Sequence, residues 1–168
     1  MKILAIDPGF ERVGIAVIEH LPKEKDTLVY STCFKTKATL PFHERLVLIG
    51  KEMEAVIKKH NPMILAIEKL YFTTNQKTVM NVAEARGVII YCASLHNLQV
   101  FEYTPPQIKV AVTGYGKASK DMVIKMVPKL IEMKILSHSD DELDAIAIGI
   151  TCLACERFSP EGNVLQRK

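Results

Sequence analysis

No internal repeat, low-complexity tract or linker interrupts this sequence. That argues for a single domain and against repeat architectures. No apolar run approaches the ~20 residues that a membrane-spanning helix needs. The opening run, Lys2-Ile3-Leu4-Ala5-Ile6-Asp7, is also too short for a secretory leader. A cytoplasmic protein with no membrane attachment is the expectation. Cysteines are few, and Cys33, Cys92, Cys152 and Cys155 form no disulfide framework. Cys152 and Cys155 have the spacing of a metal or redox pair. They fall inside an apolar helical pattern with no second pair, so buried free thiols are expected. The Gly114-Tyr115-Gly116-Lys117 stretch lacks the spacing of a nucleotide-binding P-loop. No Ser/His/Asp arrangement competes for covalent catalysis.

The chain has 168 residues, 48% hydrophobic and 24% charged, enough for one domain with a sizeable core. Residues 1–157 read as that domain, and the polar stretch 158–168 as a flexible tail in reach of a charged partner. Net charge is only +3, but its distribution is uneven. From Pro105 to Lys134, six lysines face two acids, a local charge of +4. Arg157, Arg167 and Lys168 against Glu161 give the end of the chain +2. A basic surface fits a polyanion, although lysines also serve simply to solvate a helix face.

Ile3–Ile6 reads as a buried strand, broken by Pro8-Gly9, with Val13–Ile18 as its return strand and Leu28–Phe34 as a third. Phe42, Leu46, Ile49, Met53 and Val56 recur at helical spacing between Pro41 and His60, and Asn61-Pro62 ends that helix. Ile64–Glu68 is the next strand. A second helix runs over Thr78–Leu95, with Val79, Val82, Ala83, Ile90 and Ala93 on one side. Val88, Ile89 and Tyr91 are left over, either for a subunit interface or to cover the sheet. Val100–Tyr103 is the fifth strand. Short helices over Pro106–Val112 and Lys120–Met133 and a last helix from Asp140 to Glu156 complete the order. This is an α/β chain with a five-stranded mixed sheet flanked by helices. The order resembles that of the ribonuclease H-like fold.

Four carboxylates carry the chemistry. Asp7 and Glu68 each close an apolar strand, where an acid is costly unless something binds it. Asp141 and Asp144 lie three apart at the start of the last helix and share a face. Ser139 and Glu142 have capping-box spacing there, and the positive end of the helix dipole favours negative charge at both aspartates. Each acid also has a plain reading. Asp-Pro-Gly is a turn signal, Glu68 could pair with Lys69, and acids near a helix start are common as caps. Taken together, they suggest a hard divalent cation bound by oxygen alone, Mg²⁺ or Mn²⁺ rather than zinc. Converging carboxylates can hold two ions about 4 Å apart, which suits in-line displacement at a phosphodiester. Asp140 reads as a solvent or capping group, and His138 as a loop histidine within reach of the site.

Several blocks together resemble the RuvC family of Holliday-junction resolvases, nearly end to end. They are Ile6-Asp7-Pro8-Gly9 with Gly14, Ala66-Ile67-Glu68 followed by an aromatic, and Glu84-Ala85-Arg86-Gly87. Phe101-Glu102-Tyr103, Gln107-Ile108-Lys109, Lys120, and Asp141 to Asp144 before Ala145-Ile146-Ala147 complete the set. The resemblance implies a metal-dependent endodeoxyribonuclease in which Asp7, Glu68, Asp141 and Asp144 hold two Mg²⁺ ions. Lys109 and Lys120 would lie near the scissile phosphate. Tyr71 falls where the family has a base-stacking aromatic, usually Phe, and Phe72 is adjacent. Arg86 and Lys117 are further candidates for DNA contact, Arg86 with a structural alternative. A homodimer would nick a four-way junction symmetrically. In a bacterial setting, a branch-migration motor would be a partner.

Other readings remain open at this point. One is a ribonuclease H-like nuclease acting on structured RNA; another is a junction-binding protein without cleavage, which four intact acids disfavour. An actin-like ATPase is disfavoured by chain length.

Overall fold

The computed structural model describes residues 1–70, 76–134 and 139–156. Tyr71, Phe72, His138 and the tail from 158 lie outside them. Five strands form one mixed sheet, β1 (Lys2–Asp7), β2 (Arg12–Glu19), β3 (Thr27–Lys35), β4 (Ile64–Glu68) and β5 (Gln99–Tyr103), in the order β3-β2-β1-β4-β5. The first three are antiparallel neighbours; β4 joins β1 and β5 joins β4 in parallel. Five helices accompany them: α1 (Phe42–His60), α2 (Gln76–Leu95), α3 (Pro105–Thr113), α4 (Lys120–Leu130) and α5 (Asp140–Cys155). Among the described residues no helix is long and apolar enough to cross a membrane.

The central strands are apolar on both faces because helices cover both. Ile3, Ala5, Ala16, Ile18, Ile64 and Ala66 pack against α5, α3 and α4. Leu4, Ile6, Val13, Ile15, Val17, Leu65 and Ile67 pack against α1 and α2. Gly149 lets α5 lie close on the sheet: a Cβ there would stand 3.1 Å from Ala5 Cβ and collide with Ile18.

Element boundaries follow the sequence reading within a few residues, with two informative departures. First, α2 buries Ala85, Ile89, Cys92 and Ala93, whereas Ala83 is exposed and Val79, Val82 and Ile90 are half-buried. The helix carries apolar residues nearly all round, so periodicity marks its buried side poorly. Ile89 covers the sheet, while Tyr91 stays 63% exposed. Second, α4 stops at Leu130 rather than Met133. Glu132 leaves the helix to bridge β3: its N–H donates to Asp26 O at 2.8 Å, and its carbonyl accepts from Leu28 N at 2.9 Å. Of the paired cysteines, Cys152 is fully buried and Cys155 half-buried; neither is in a disulfide.

Candidate active site

Strand pairing places the first two acids. β1 and β4 are parallel with Ile6 opposite Ile67, so Asp7 and Glu68 follow at level strand ends. Side chains alternate along a strand. With Ala5 and Ala66 under α5, Asp7 and Glu68 face the same way. The Glu68 end is fixed twice: the Lys69 N–H donates to Tyr103 O at 2.8 Å, and Arg86 Nε donates to the Glu68 carbonyl at 3.1 Å.

The third element is the start of α5. Ser139 caps it with the anticipated box: Glu142 N donates to Ser139 Oγ at 3.4 Å, and Ser139 N donates to Glu142 Oε2 at 2.9 Å. Gly14, opposite Asp7 in the β1–β2 ladder, lets this end reach the sheet. A Cβ on Gly14 would collide with the Asp141 carbonyl and stand 3.1 Å from Asp7 Cβ. Asp144 then faces α4, where Lys120 Nζ lies 2.9 Å from Asp144 Oδ2 and 3.5 Å from Asp140 Oδ2. Ser119 caps α4, its Oγ accepting from Met122 N at 3.3 Å, which sets Lys120 at the first helical position. A cleft of about 200 Å³ opens here, lined by Glu68, Asp144, Lys109 and Lys120 over Ile108, Val123 and Ala147.

Electrostatics single out the acids at the strand ends. Asp7 is pushed up to about 7, by burial first and then by the charges of Glu68, Asp144 and Asp141, with Lys120 opposing. Glu68 also rises to about 7, from burial and the Asp144 charge. Hydrogen bonding to Asp144 holds the Lys120 ammonium above its ordinary value, so it stays charged.

A pH dependence follows for the metal-free protein. An acid raised on folding binds its proton more tightly in the folded chain. Its contribution to stability is complete below the unfolded value, near 4, and is lost as pH rises through about 7. Thermal unfolding in EDTA should therefore come at higher temperature at pH 5.5 than at pH 8, by roughly 5 °C or more. Asp7→Asn should flatten that slope. An unchanged slope in the variant would show that Asp7 is not its source.

The Asp141 carboxylate is held by partners of its own. Its Oδ2 accepts from the Arg12 guanidinium on β2 and from Cys33 Sγ on β3 at 3.2 Å. Lys109 sits half-buried on α3, and Lys117 is exposed between α3 and α4. Arg86 has intramolecular partners, the Glu68 carbonyl and the Glu102 carboxylate.

Three residues of this region escaped sequence reading. Arg12 and Cys33 become neighbours only through the β2–β3 register. Arg45 is 6% exposed. It donates from Nε to Thr36 Oγ1 at 2.8 Å and from a terminal nitrogen to Phe10 O at 3.2 Å, with its guanidinium over the Phe10 ring. It thus ties the turn after Asp7 to α1. An arginine one turn before Ile49, on the apolar stripe, was the available signal.

The donor set is all oxygen and suits a hard divalent cation. Asp7 and Glu68, raised by burial and neighbouring acids, would be drawn back to the ionised form by a bound cation. Among the described residues no three His, Cys, Asp or Glu side chains are placed together to hold a metal ion; beside Asp144 the positive charge is the Lys120 ammonium.

A sheet in this strand order, with acids at the ends of β1 and β4 and at the start of α5, defines a nuclease of the ribonuclease H-like class. The family model for crossover junction endodeoxyribonuclease RuvC matches residues 3–152. The chain belongs to the RuvC family. It is 41% identical over 150 residues to the crossover junction endodeoxyribonuclease RuvC of Halothermothrix orenii, covering 89% of this chain and 90% of that protein. The Fusobacterium nucleatum protein of the same name is 39% identical, with 90% of this chain and 79% of that protein covered. Among solved structures, Thermus thermophilus RuvC in complex with a Holliday junction substrate superposes with a TM-score of 0.85 at 28% identity, covering 92% and 93% of the two chains. The yeast mitochondrial Holliday junction resolvase Ydc2, at 13% identity and a TM-score of 0.66, shares the fold.

Proposed function

We propose that this chain resolves four-way DNA junctions by paired symmetric nicks, with Mg²⁺ as the working ion and Mn²⁺ as a substitute. The observation that carries this is the charge coupling of Asp7 with Glu68 and Asp144, with Lys120 on Asp144, at the ends of β1 and β4 and the start of α5. Family membership supplies the substrate class. Asp7, Glu68 and Asp144 would hold the divalent ions, with Asp141 as a fourth ligand. Bound ions would supply an activated water and neutralise charge on the leaving oxygen.

The chain's own residues do the rest. Lys120 and Lys109 line the acid cleft and stabilise charge that grows on the phosphate during cutting. Lys120→Ala and Lys109→Ala should each slow single-turnover cutting of bound junction by on the order of 100-fold, with junction affinity nearly unchanged. Loss of binding with intact cutting of the bound fraction would overturn that role. Lys117, exposed on the loop before α4, adds charge for backbone contact. Tyr71 or Phe72, just beyond β4, is the candidate for base stacking.

Paired nicks need two sites, hence a homodimer. Val47 on α1 (55% exposed) and Tyr91 on α2 (63% exposed) border an apolar groove of about 630 Å³ between those helices, with Leu46, Ala55 and Val88. This groove is the proposed interface. Tyr91→Arg should give a monomer by sedimentation that nicks one strand of a junction; an intact dimer would place the interface elsewhere. Residues 1–157 form the nuclease domain in this reading, with 158–168 as a tail. A cytoplasmic setting and a branch-migration motor as partner belong to the same reading.

The deciding test compares a fixed junction, a mobile-core junction and linear duplex, each with Mg²⁺ or EDTA. Symmetric nicks on junctions alone, lost in EDTA, are expected. Binding without cutting in Mg²⁺, or in Mn²⁺ put in its place, would indicate a junction-binding protein. No preference for junctions would redirect attention to structured RNA.

A further inference from the structure

The two aspartates at the start of α5 share a face but reach different partners. Asp144 faces α4 and Lys120. Asp141 faces the β2–β3 edge, and the register there explains why. Gly14 pairs with Cys33, and Arg12 with Lys35. Cross-strand partners share a face, so Arg12, Cys33 and the open space over Gly14 lie together beneath the helix start. Asp141 fills that position and takes both the guanidinium and the thiol on Oδ2. The next residue is tied to the same strand, since Ser31 Oγ donates to Glu142 Oε1 at 2.8 Å.

We propose that Arg12 is a positioning residue that competes with the divalent ion for Asp141 and so sets the metal concentration this enzyme needs. The proposal rests on the reading of Asp141 as the fourth metal ligand. Arg12 and Cys33 both hold Oδ2, and a guanidinium there offsets the negative charge that an ion would draw on, so Asp141 binds an ion more tightly once Arg12 lets go. The guanidinium is 52% exposed and the carboxylate 22%. An ion pair open to water is weak, so release is cheap and the competition is graded. Arg12 carries a charge that pH cannot remove, so the effect persists across the working range. Cys33 donates to the same oxygen at 3.2 Å and orients Asp141.

The test titrates Mg²⁺ into the metal-free full chain without DNA, following the melting temperature and the heat of binding. Arg12→Ala should lower the Mg²⁺ midpoint about three- to tenfold, with Arg12→Lys in between. Asp141→Asn should raise it. In the double variant, Arg12→Ala should add no further drop, because its partner is gone. In cleavage assays the Arg12→Ala midpoint should move while the rate at saturating Mg²⁺ stays close to wild type.

An unmoved or raised midpoint in Arg12→Ala overturns the proposal. So does an equal drop in the Asp141→Asn background, which would mean that Arg12 acts through the general field of the site. If Asp141→Asn alone leaves the midpoint at the wild-type value, the ligand reading fails and the proposal falls with it. If Asp141→Asn raises it and Arg12→Ala does nothing, only the role of Arg12 fails.

Discussion

Asp7→Asn should abolish junction cutting, by on the order of 1,000-fold or more, while junction binding persists. Asp7 is the most constrained acid of the site. It ends β1 opposite Gly14, faces α5, and feels the charges of Glu68, Asp144 and Asp141. An asparagine keeps the shape and removes the charge that holds a cation. The substitution also relieves repulsion among buried acids, so the metal-free variant should melt at or above the wild-type temperature near pH 7.5. Loss of activity with raised stability separates a chemical role from a folding one. Single-turnover cutting of bound junction, with melting curves in EDTA, reads both. Cutting retained within tenfold would remove Asp7 from the metal site.

The acids of this candidate site stood out in the sequence because they break a strong pattern. Ile3–Ile6 and Ile64–Ile67 are buried runs that each end in a carboxylate, and a turn or a surface ion pair explains either acid alone but not the two together with the spaced pair at Asp141 and Asp144. The cap at Ser139 was legible too, since a capping box is local. Asp141's actual partners were not. Arg12 and Cys33 lie 129 and 108 residues away from it in sequence, and only the β2–β3 register and the bare Gly14 bring them together. The buried side of α2 was misread for a related reason. Ala83 and Ala85 look alike to a periodicity argument, and contact with the sheet decides between them. The end of α4 was set by Glu132 joining β3, a tertiary hydrogen bond that helix periodicity does not register.

Gly14→Ala should destabilise the protein by about 3 kcal/mol or more and remove cutting with it. The new Cβ would collide with the Asp141 backbone carbonyl and crowd Asp7 Cβ at 3.1 Å. A carbonyl in the first turn of a capped helix cannot step aside as a side-chain tip can. The start of α5 must lift, taking Asp141 and Asp144 away from Asp7 and Glu68. By the usual scaling the melting temperature should drop roughly 6–12 °C. Gly87 supplies the control. It lies exposed in α2, with nothing within 4 Å of an added Cβ. Gly87→Ala should stabilise by up to ~1 kcal/mol, because alanine favours the helix. The same change of one methyl group then has opposite signs at the two positions. Close approach to α5 is what distinguishes them. A Gly14→Ala protein that melts and cuts like wild type would show that the helix start can move without cost, and would break the link between the β1–β2 ladder and the placement of the acids.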